Sequence, residues 1–317
     1  MKKIMYAAVF SMLILMPLFW GCGNNDEEYV RVDFSDSVNV EEQPAVDSER
    51  PRLRAAVGAM ISPRETFESY REILVYLSRE MDMDLEFVQR KTYEEINELL
   101  GENKIDLAFI CSGPYVRGRD AHGFNLLAAP VVEGDWHYYS YLIVNENSPH
   151  ESLEDLKGKT FAFTDPESNT GRMVPMYWLH EMGFCPEDYF SDIIYTYSHD
   201  NSIMAVSKNL VDGAAVDHLI WDYFHKSGSD ITRNTRVIKK SQPFGIPPIV
   251  ASPGLSQDKA LELKEILLNM HLDDRGEEIL ASLLIEKFVA AEDQWYDSIR
   301  DIYGTLKNCE DQDAAKP

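Results

Sequence analysis

The sequence predicts an α/β protein built on doubly wound sheets, and two observations lead to that fold class. From residue 52 onward, short apolar runs typical of buried strands alternate with amphipathic segments typical of helices. The length of 317 residues supports one large domain or two lobes of roughly 100–150 residues each. Sheets of this kind bind ligands at the carboxyl ends of their strands, so the loops at those ends are the candidate sites.

The first predicted strand and helices have the clearest sequence signals. Leu53–Met60 is a short apolar run that predicts a buried strand, and Ser62-Pro63-Arg64-Glu65 then predicts a helix start with a capping box. A second capping box, Thr92-Tyr93-Glu94-Glu95, opens a helix that ends near Gly101. Further strands are predicted at Leu85–Val88, Ile105–Ile110, Leu126–Val132, Tyr138–Val144, Thr160–Phe163 and Ile193–Tyr197, and helices near 152–157, 171–182, 201–210, 217–226 and throughout 256–305.

The first 22 residues are typical of an export signal rather than of a folded domain. Two lysines precede an almost uninterrupted apolar stretch, Met5–Trp20, which is short for a membrane span and suits a signal peptide. The small residue Gly21 directly before Cys22 resembles the lipobox of bacterial lipoproteins, in which the cysteine carries the lipid and becomes the first residue. The alternatives are an ordinary cleaved signal with an incidental cysteine and an uncleaved anchor.

The net charge of the chain limits the classes of binding partner that it can have. The chain has 30 Lys and Arg against 54 Asp and Glu, a net charge of −24, which disfavours nucleic acids and anionic membrane surfaces as partners. Residues 23–50 hold nine acidic residues and two arginines, a balance of −7, and predict an extended tether. With Cys22 lipidated, Cys111, Cys185 and Cys309 allow at most one internal disulfide, and their spacing matches no zinc pattern.

The most informative loop follows the predicted strand Thr160–Phe163. It reads Thr164-Asp165-Pro166-Glu167-Ser168-Asn169-Thr170-Gly171 and leads directly into a helix. A helix N-terminus offers unpaired N–H groups and a partial positive charge, and hydroxyl groups beside it complete a cradle for an oxyanion. The alternative is that Thr170 serves only as the N-cap of that helix.

Three segments in succession resemble one family, the phosphate-, phosphite- and phosphonate-binding proteins of ABC transporters. They are Ile105-Asp106-Leu107-Ala108-Phe109 with Gly113-Pro114-Tyr115-Val116, then Asp165 to Gly171, then His199-Asp200 with Val211-Asp212-Gly213-Ala214-Ala215-Val216-Asp217. The resemblance covers roughly residues 52–290 and implies a two-lobed periplasmic-binding-protein fold in which two crossing strands join the lobes. It places lobe 1 at 52–133 and 245–300 and lobe 2 at 136–242, after a signal peptide at 1–21 and a lipidated tether at 22–51, and before a tail at 301–317.

The resemblance also implies the pocket. Ser168, Asn169 and Thr170 would form the oxyanion turn, and the other ligand-binding candidates are Tyr93, His199, Asp217 and Ser112. Each has a structural alternative: a half-buried surface ring for Tyr93, a helix-flanking position for His199, an N-cap for Asp217, and no ligand contact for Ser112. Arg172 would reach the anion or point outward, and we favour outward.

The resulting prediction is a lipid-anchored, exported, monomeric solute-binding protein that captures a small tetrahedral oxyanion and delivers it to an ABC transporter permease. It needs no cofactor or metal. An enzyme is disfavoured because the chain lacks HExxH, GxSxG, P-loop and GxGxxG motifs. Two alternatives stay open: a transferrin-like carrier of a metal with an anion, and a subunit that presents its ligand to a membrane sensor.

Overall fold

The computed structural model describes residues 50–314 apart from Ala59, Ile61 and Ser62, and describes the side chains of that range except for residues 63–69 and 308–314. The predicted signal peptide, Cys22 and all of the predicted tether before Arg50 therefore lie outside the described residues, as do the predicted N-cap Ser62 and the side chain of Cys309.

Thirteen strands and eleven α-helices alternate along the described part of the chain, as the sequence predicts. The strands are β1 Arg52–Val57, β2 Asp84–Val88, β3 Leu107–Phe109, β4 Asn125–Val131, β5 His137–Tyr138, β6 Ser140–Asn145, β7 Thr160–Phe163, β8 Asp192–Tyr195, β9 Gly213–Asp217, β10 Thr235–Lys240, β11 Phe244–Gly245, β12 Ile249–Ala251 and β13 Lys287–Val289. The helices are α1 Pro63–Glu80, α2 Tyr93–Gly101, α3 Ser112–His122, α4 Val174–Glu181, α5 Pro186–Tyr189, α6 His199–Ser207, α7 His218–Lys226, α8 Asp230–Arg233, α9 Gln257–Asn269, α10 Asp274–Ser282 and α11 Asp297–Ala314.

The strands form two large sheets. Sheet A has the order β13-β4-β12-β3-β1-β2, and sheet B has the order β10-β6-β9-β7-β8. In sheet A the strands β2, β1 and β3 are parallel, and in sheet B the strands β8, β7 and β9 are parallel. The next strand in each sheet, β12 or β6, is antiparallel. The sheets are thus mixed rather than wholly parallel as the alternation predicts.

The mixed topology follows from the path of the chain between the sheets. The chain passes from sheet A to sheet B through β5 and returns through β11, and these two short strands pair antiparallel with Phe244 opposite Tyr138. β6 and β12 each enter their sheet directly after such a crossing, and both run against the parallel strands. Both sheets belong to one compact unit of the chain.

Both faces of each sheet are buried, as a doubly wound architecture requires. In β1, Leu53, Ala55 and Val57 pack into one apolar cluster while Ala56 belongs to another. In β7, Phe161 faces one cluster and its neighbour Ala162 faces another. Both faces of these strands are thus packed, and the loop that follows the carboxyl end of β7 carries the predicted oxyanion turn.

The structure corrects several predicted elements. The segment 152–157 contains only a 3-10 turn at Glu154–Leu156, and the tail 256–305 is interrupted by strand β13, which pairs with β4. Helix α3 was missed because Gly113, Pro114 and Gly118 disfavour a helix. Close packing demands the small residue at position 118, since a Cβ there would lie 1.9 Å from the ring of Phe124.

No helix within the described residues is both long enough and apolar enough to cross a membrane.

Candidate ligand-binding site

The loop after β7 is folded by its own hydroxyl groups. Ser168 caps the helical segment that follows, because its Oγ accepts a hydrogen bond from the backbone N–H of Gly171 at 3.0 Å. The alternative that Thr170 is merely the cap is therefore wrong. The Thr170 hydroxyl is buried, and within the described structure it has no hydrogen-bond partner. Gly171 allows the loop to close, since a Cβ there would lie 1.9 Å from Oγ1 of Thr164.

Two neighbouring side chains hold this loop in place. The Ser140 hydroxyl donates to the carbonyl oxygen of Thr170 at 2.6 Å, and the side-chain amide of Asn169 donates to the Tyr138 hydroxyl at 2.9 Å. The Asn169 Oδ1 atom is buried and has no partner among the described residues. The loop is thus anchored from β6 and from the crossing strand β5.

Tyr93 reaches the site from sheet A. It opens helix α2, where Thr92 and Glu95 form the predicted capping box. Its side chain is only 2% exposed, so the alternative of a half-buried surface ring is wrong. The backbone N–H of Tyr93 donates to Oδ2 of Asp165 at 3.1 Å, which joins α2 to the loop after β7.

The Tyr93 hydroxyl is buried without a partner among the described residues. Burial, with smaller contributions from Cys111 and Asp165, raises the pKa of Tyr93 well above its usual value. The hydroxyl therefore keeps its proton at physiological pH and can donate it in a hydrogen bond.

His199 is the first residue of α6 and is fully buried. Its backbone N–H donates to the carbonyl of Met60, three residues after β1, and its Nδ1 accepts from the backbone N–H of Asp217 at 3.0 Å. Because Nδ1 accepts, the neutral ring carries its proton on Nε2. Burial lowers the pKa of His199 to about 3, so the ring stays neutral near pH 7. Nε2 is a buried donor without a partner in the described structure.

Asp217 ends strand β9 and caps helix α7, accepting from the N–H of Leu219 at 2.8 Å. The structural role that the sequence suggests for it, an N-cap, is thus present. Burial raises the pKa of Asp217 to about 7. Its carboxyl group can therefore be protonated or ionised near neutral pH, and it can donate to or accept from a ligand.

Ser112 lies at the start of α3, and its hydroxyl donates to the carbonyl oxygen of Gly245 at 2.6 Å. That bond ties α3 to the crossing strand β11. With its proton committed, Ser112 can offer a ligand only a hydrogen-bond acceptor.

Four of the predicted residues carry buried polar atoms without a hydrogen-bond partner among the described residues, and two contacts link them to other site residues: Tyr93 to Asp165 and His199 to Asp217. Buried polar groups in proteins are almost always hydrogen-bonded, and leaving one unpaired costs about 1–3 kcal/mol. The buried atoms without partners in this set are Tyr93 Oη, Asn169 Oδ1, Thr170 Oγ1 and His199 Nε2. The set spans both sheets. Five further such atoms occur in Asn97, Thr164, Glu167, Ser198 and His271, and Thr164 and Ser198 flank the site in sequence.

Two residues of the site, Tyr138 and Asp165, were not singled out from the sequence. Tyr138 is fully buried and its hydroxyl meets Asn169 and, at 3.9 Å, the Cys111 sulfur. The sequence places it only at the start of the predicted strand Tyr138–Val144, whereas in the structure it lies on the crossing strand β5. Asp165 belongs to the quoted loop motif, and its carboxylate binds the N–H groups of Tyr93 and Glu167. Only proximity in the fold reveals these contacts.

Arg172 does not contribute to the set of unsatisfied atoms. Its Nε donates to the Tyr195 hydroxyl at 2.9 Å, and its Nη1 donates to the carbonyl of Pro166 at 3.0 Å, near the surface. The site therefore presents neutral donors rather than a cationic side chain. No group of three or more His, Cys, Asp or Glu residues suited to a metal ion occurs within the described part of the chain.

This architecture defines the class of protein: two α/β sheets joined by crossing strands form the bilobal fold of periplasmic solute-binding proteins. The binding component of a phosphonate ABC transporter from Pseudomonas aeruginosa superposes with a TM-score of 0.76, at 23% identity over 80% of this chain and 86% of that one. The PhnD1 protein of Prochlorococcus marinus, solved with methylphosphonate, gives a TM-score of 0.73 at 21% identity over 81% and 98% of the two chains.

The family can be stated more narrowly. Residues 56–296 match the family described as the periplasmic substrate-binding protein of phosphonate ABC transporters, and the chain belongs to that family. The family's role is to bind a substrate, not to catalyse a reaction.

Curated relatives are distant. The phosphonates-binding periplasmic protein of Escherichia coli K12 is 27% identical over 60% of this chain, and the match spans 58% of that protein's length. The probable phosphite-binding protein PhnD1 of Prochlorococcus marinus is 22% identical over 71% of this chain and 80% of its own length.

Proposed function

We propose that this protein captures a small tetrahedral oxyanion, a phosphonate, phosphite or phosphate, between two lobes and delivers it to the permease of an ABC transporter. The observation that carries the proposal is the set of buried, unpartnered polar atoms on Tyr93, Asn169, Thr170 and His199. A ligand oxygen would satisfy the donors among them at once, and an uncharged, dry donor set is suited to a small anion.

The lobes of the proposal are the bodies around sheets A and B, with lobe 1 at 52–133 and 245–300 and lobe 2 at 136–242. Closure is then a shift of population driven by ligand contacts to both bodies. Tyr93 comes from the first body, whereas Thr170 and His199 come from the second. Either body alone would bind the ligand weakly, so the ligand is retained only while the two bodies are closed around it.

In this proposal every predicted residue has a role. The hydroxyls of Tyr93, Ser168 and Thr170 and the Nε2–H of His199 donate to the oxygens, and Asn169 orients the turn through Tyr138. Asp217 pairs with a protonated ligand oxygen. Ser112 either accepts a hydrogen bond from a protonated ligand oxygen or supports β11.

Calorimetric titration of the purified protein with phosphate, phosphite, methylphosphonate, sulfate and ferric citrate tests the proposal. We expect at least one of the three phosphorus oxyanions to bind in the micromolar range or tighter. Tight binding of ferric citrate with no binding of any phosphorus oxyanion would favour the metal-carrier alternative and contradict the proposal.

We also propose that Cys22 carries the lipid that anchors the exported protein to the cell envelope, with residues 23–51 as the tether. This part of the proposal depends on the sequence alone. Incorporation of a labelled fatty acid by the wild-type protein but not by Cys22→Ser would support it, and equal incorporation by both would refute it.

A further inference from the structure

A cavity of about 50 Å³ lies between the two sheets. Thirteen residues line it, and all of them are apolar except Asp217 and Tyr70. The walls include Phe109 and Ile110 at the end of β3, Ile246 after the crossing strand β11, and Ile285 beside β13.

This cavity adjoins the proposed oxyanion site, because the candidate site residue Asp217 also lines the cavity. Met60 lines it, and the Met60 carbonyl accepts from the N–H of His199. Asp217 lines it as well, and the N–H of Asp217 donates to His199 Nδ1. Ile246 follows Gly245, whose carbonyl binds Ser112. The polar set and this apolar recess are therefore neighbours, joined by the contacts of His199 with Met60 and Asp217.

The size of the recess limits what can enter it. A volume of about 10–15 Å³ suffices for one water molecule, whereas an engineered apolar cavity of about 150 Å³ holds benzene. At about 50 Å³ this recess is larger than one water and smaller than an aromatic ring requires. Its dimensions suit a methyl, ethyl or propyl group.

The chemistry of the walls disfavours a charged substituent. An ammonium group has three N–H donors, and the only wall side chains that can accept from it are the Asp217 carboxyl group and the Tyr70 hydroxyl. One of the Asp217 oxygens already accepts from the N–H of Leu219. A buried ammonium would leave donors unpaired, as would a hydroxyl group placed against the isoleucines, and both are costly.

We propose that this recess receives the organic substituent of the ligand and that the protein selects short, uncharged alkylphosphonates over phosphate, phosphite and 2-aminoethylphosphonate. The inference rests on the proposed function, because the recess matters only if the polar set binds the phosphonate oxygens. The carbon–phosphorus bond would point from the polar set into the recess, so the three oxygens meet the donors and the fourth substituent meets the apolar wall.

A ligand series measured by calorimetry on the full chain tests the inference. The series is phosphate, phosphite, and methyl-, ethyl-, propyl-, butyl- and 2-aminoethylphosphonate. We expect affinity to rise roughly fourfold per added carbon up to ethyl or propyl and to fall at butyl. Phosphate and 2-aminoethylphosphonate should bind at least about tenfold more weakly than ethylphosphonate.

A matched pair of variants locates the substituent. Ile285→Ala enlarges the recess, whereas Ile279→Ala removes the same side chain from the same apolar cluster away from the recess. We expect the best-bound chain to lengthen by at least one carbon in Ile285→Ala and to stay unchanged in Ile279→Ala. Thermal unfolding checks that both fold, and Ile285→Val replaces the alanine variant if that one does not.

The possible outcomes distinguish a failure of the proposed recess from a failure of the proposed function. Binding of phosphorus oxyanions with affinity that is flat or falls along the alkyl series would refute the recess and leave the proposed function standing. The same holds for tighter binding of 2-aminoethylphosphonate than of ethylphosphonate, or for equal shifts in the two alanine variants. If no phosphorus oxyanion binds at all, the proposed function itself fails.

Discussion

Two hydroxyl groups in the site, those of Tyr93 and Thr170, are buried without a partner among the described residues. A fold gains nothing from such groups, because burying a hydroxyl without a hydrogen bond costs free energy. Other buried hydroxyls are paired: Thr196 bonds to Ser202 and to the Ser198 carbonyl, and Tyr296 donates to the Ile246 carbonyl. Among the described residues the further unpartnered hydroxyls are those of Thr164 and Ser198, which flank the site in sequence. The contrast supports the proposal that Tyr93 and Thr170 bind a ligand.

We therefore expect Tyr93→Phe and Thr170→Val to weaken oxyanion binding by about tenfold or more while keeping or raising the stability of the ligand-free protein. The control variants Tyr296→Phe and Thr196→Val should lose about 1 kcal/mol of stability and keep ligand affinity. Urea unfolding without ligand and calorimetry with methylphosphonate measure the two effects. A loss of ligand-free stability in Tyr93→Phe and Thr170→Val equal to that of the controls would show that these hydroxyls are structural.

The two nitrogens of His199 are proposed to have different roles. Substitution of His199 by Asn or by Gln can distinguish these roles. Asn places an acceptor near Nδ1 and keeps the bond from the Asp217 N–H, but it has no donor at Nε2. Gln reaches the Nε2 position and lacks the nearby acceptor. We expect His199→Asn to lose about tenfold in ligand affinity with little loss of stability. We expect His199→Gln to lose stability with little loss of ligand affinity.

The pH dependence of stability provides a second readout at His199. Its folded-state pKa of about 3 lies below the ordinary value of 6.5, so the unfolded chain binds the proton more readily between these values. The stability of the wild type relative to His199→Asn should thus fall as pH drops below about 6.5. Urea unfolding at pH 7.5 and pH 5 measures this difference, and an unchanged or rising relative stability would contradict a buried neutral ring.

At the scale of elements, helices α2 and α3 beside sheet A bind the loop after β7 through the carboxylates of Asp165 and Glu167. The N-terminus of α2 binds Asp165 through the backbone N–H of Tyr93. Arg117 of α3 forms an ion pair with Glu167, whose side chain is only 7% exposed. Burial raises the pKa of Glu167, and the guanidinium of Arg117 opposes that rise. Both contacts join the proposed lobes, so they should act mainly on how long the closed form lasts.

We expect Arg117→Gln to accelerate ligand release by about threefold to tenfold with little change in the association rate, because it leaves the buried Glu167 carboxylate unpaired. Arg275→Gln is the matched control, since Arg275 pairs with Glu72 and Glu278 on the surface of one body. Stopped-flow tryptophan fluorescence measures both rates. Equal release rates in the wild type and Arg117→Gln would show that this ion pair does not hold the closed form.

At the scale of the whole molecule, an acidic protein of net charge −24 is proposed to bind an anion. The charge and the proposal are compatible because the proposed site offers hydroxyls, a neutral imidazole and a helix start rather than Lys or Arg. Arg172, the cation nearest to the oxyanion turn in sequence, is bound to Tyr195 and Pro166. Short-range donors in a closed site are screened little by salt.

Affinity for methylphosphonate should therefore change by less than about threefold between 50 and 500 mM sodium chloride. Long-range repulsion by the acidic surface is screened over the same range, so any change should favour binding at the higher concentration. Calorimetry at both concentrations measures the effect. A steep loss of affinity with salt, absent in Arg172→Gln, would identify Arg172 as the real anchor.

Local patterns predicted some elements and missed others. The capping box at Thr92 to Glu95 and the helix start at Pro63 depend on a few adjacent residues, and both are present. Helix α3 was missed because the propensities of Gly113, Pro114 and Gly118 oppose a helix, and packing against Phe124 and the loop after β7 overrides them. Strand β13 was missed because three residues are too few to show a period.

The sequence by itself determined the alternation of strands and helices, the polar loop Ser168 to Thr170 that we propose as the oxyanion turn, and the family resemblance, because each depends on adjacent residues. The tertiary structure decided the rest: which hydroxyl is a cap and which is unpartnered, which nitrogen of His199 holds the proton, and that Tyr138 and Asp165 belong to the site. Those properties depend on contacts between segments far apart in the chain, such as Tyr93 with Asp165. No local pattern records such contacts, since burial and hydrogen-bond pairing are set only when the two sheets come together.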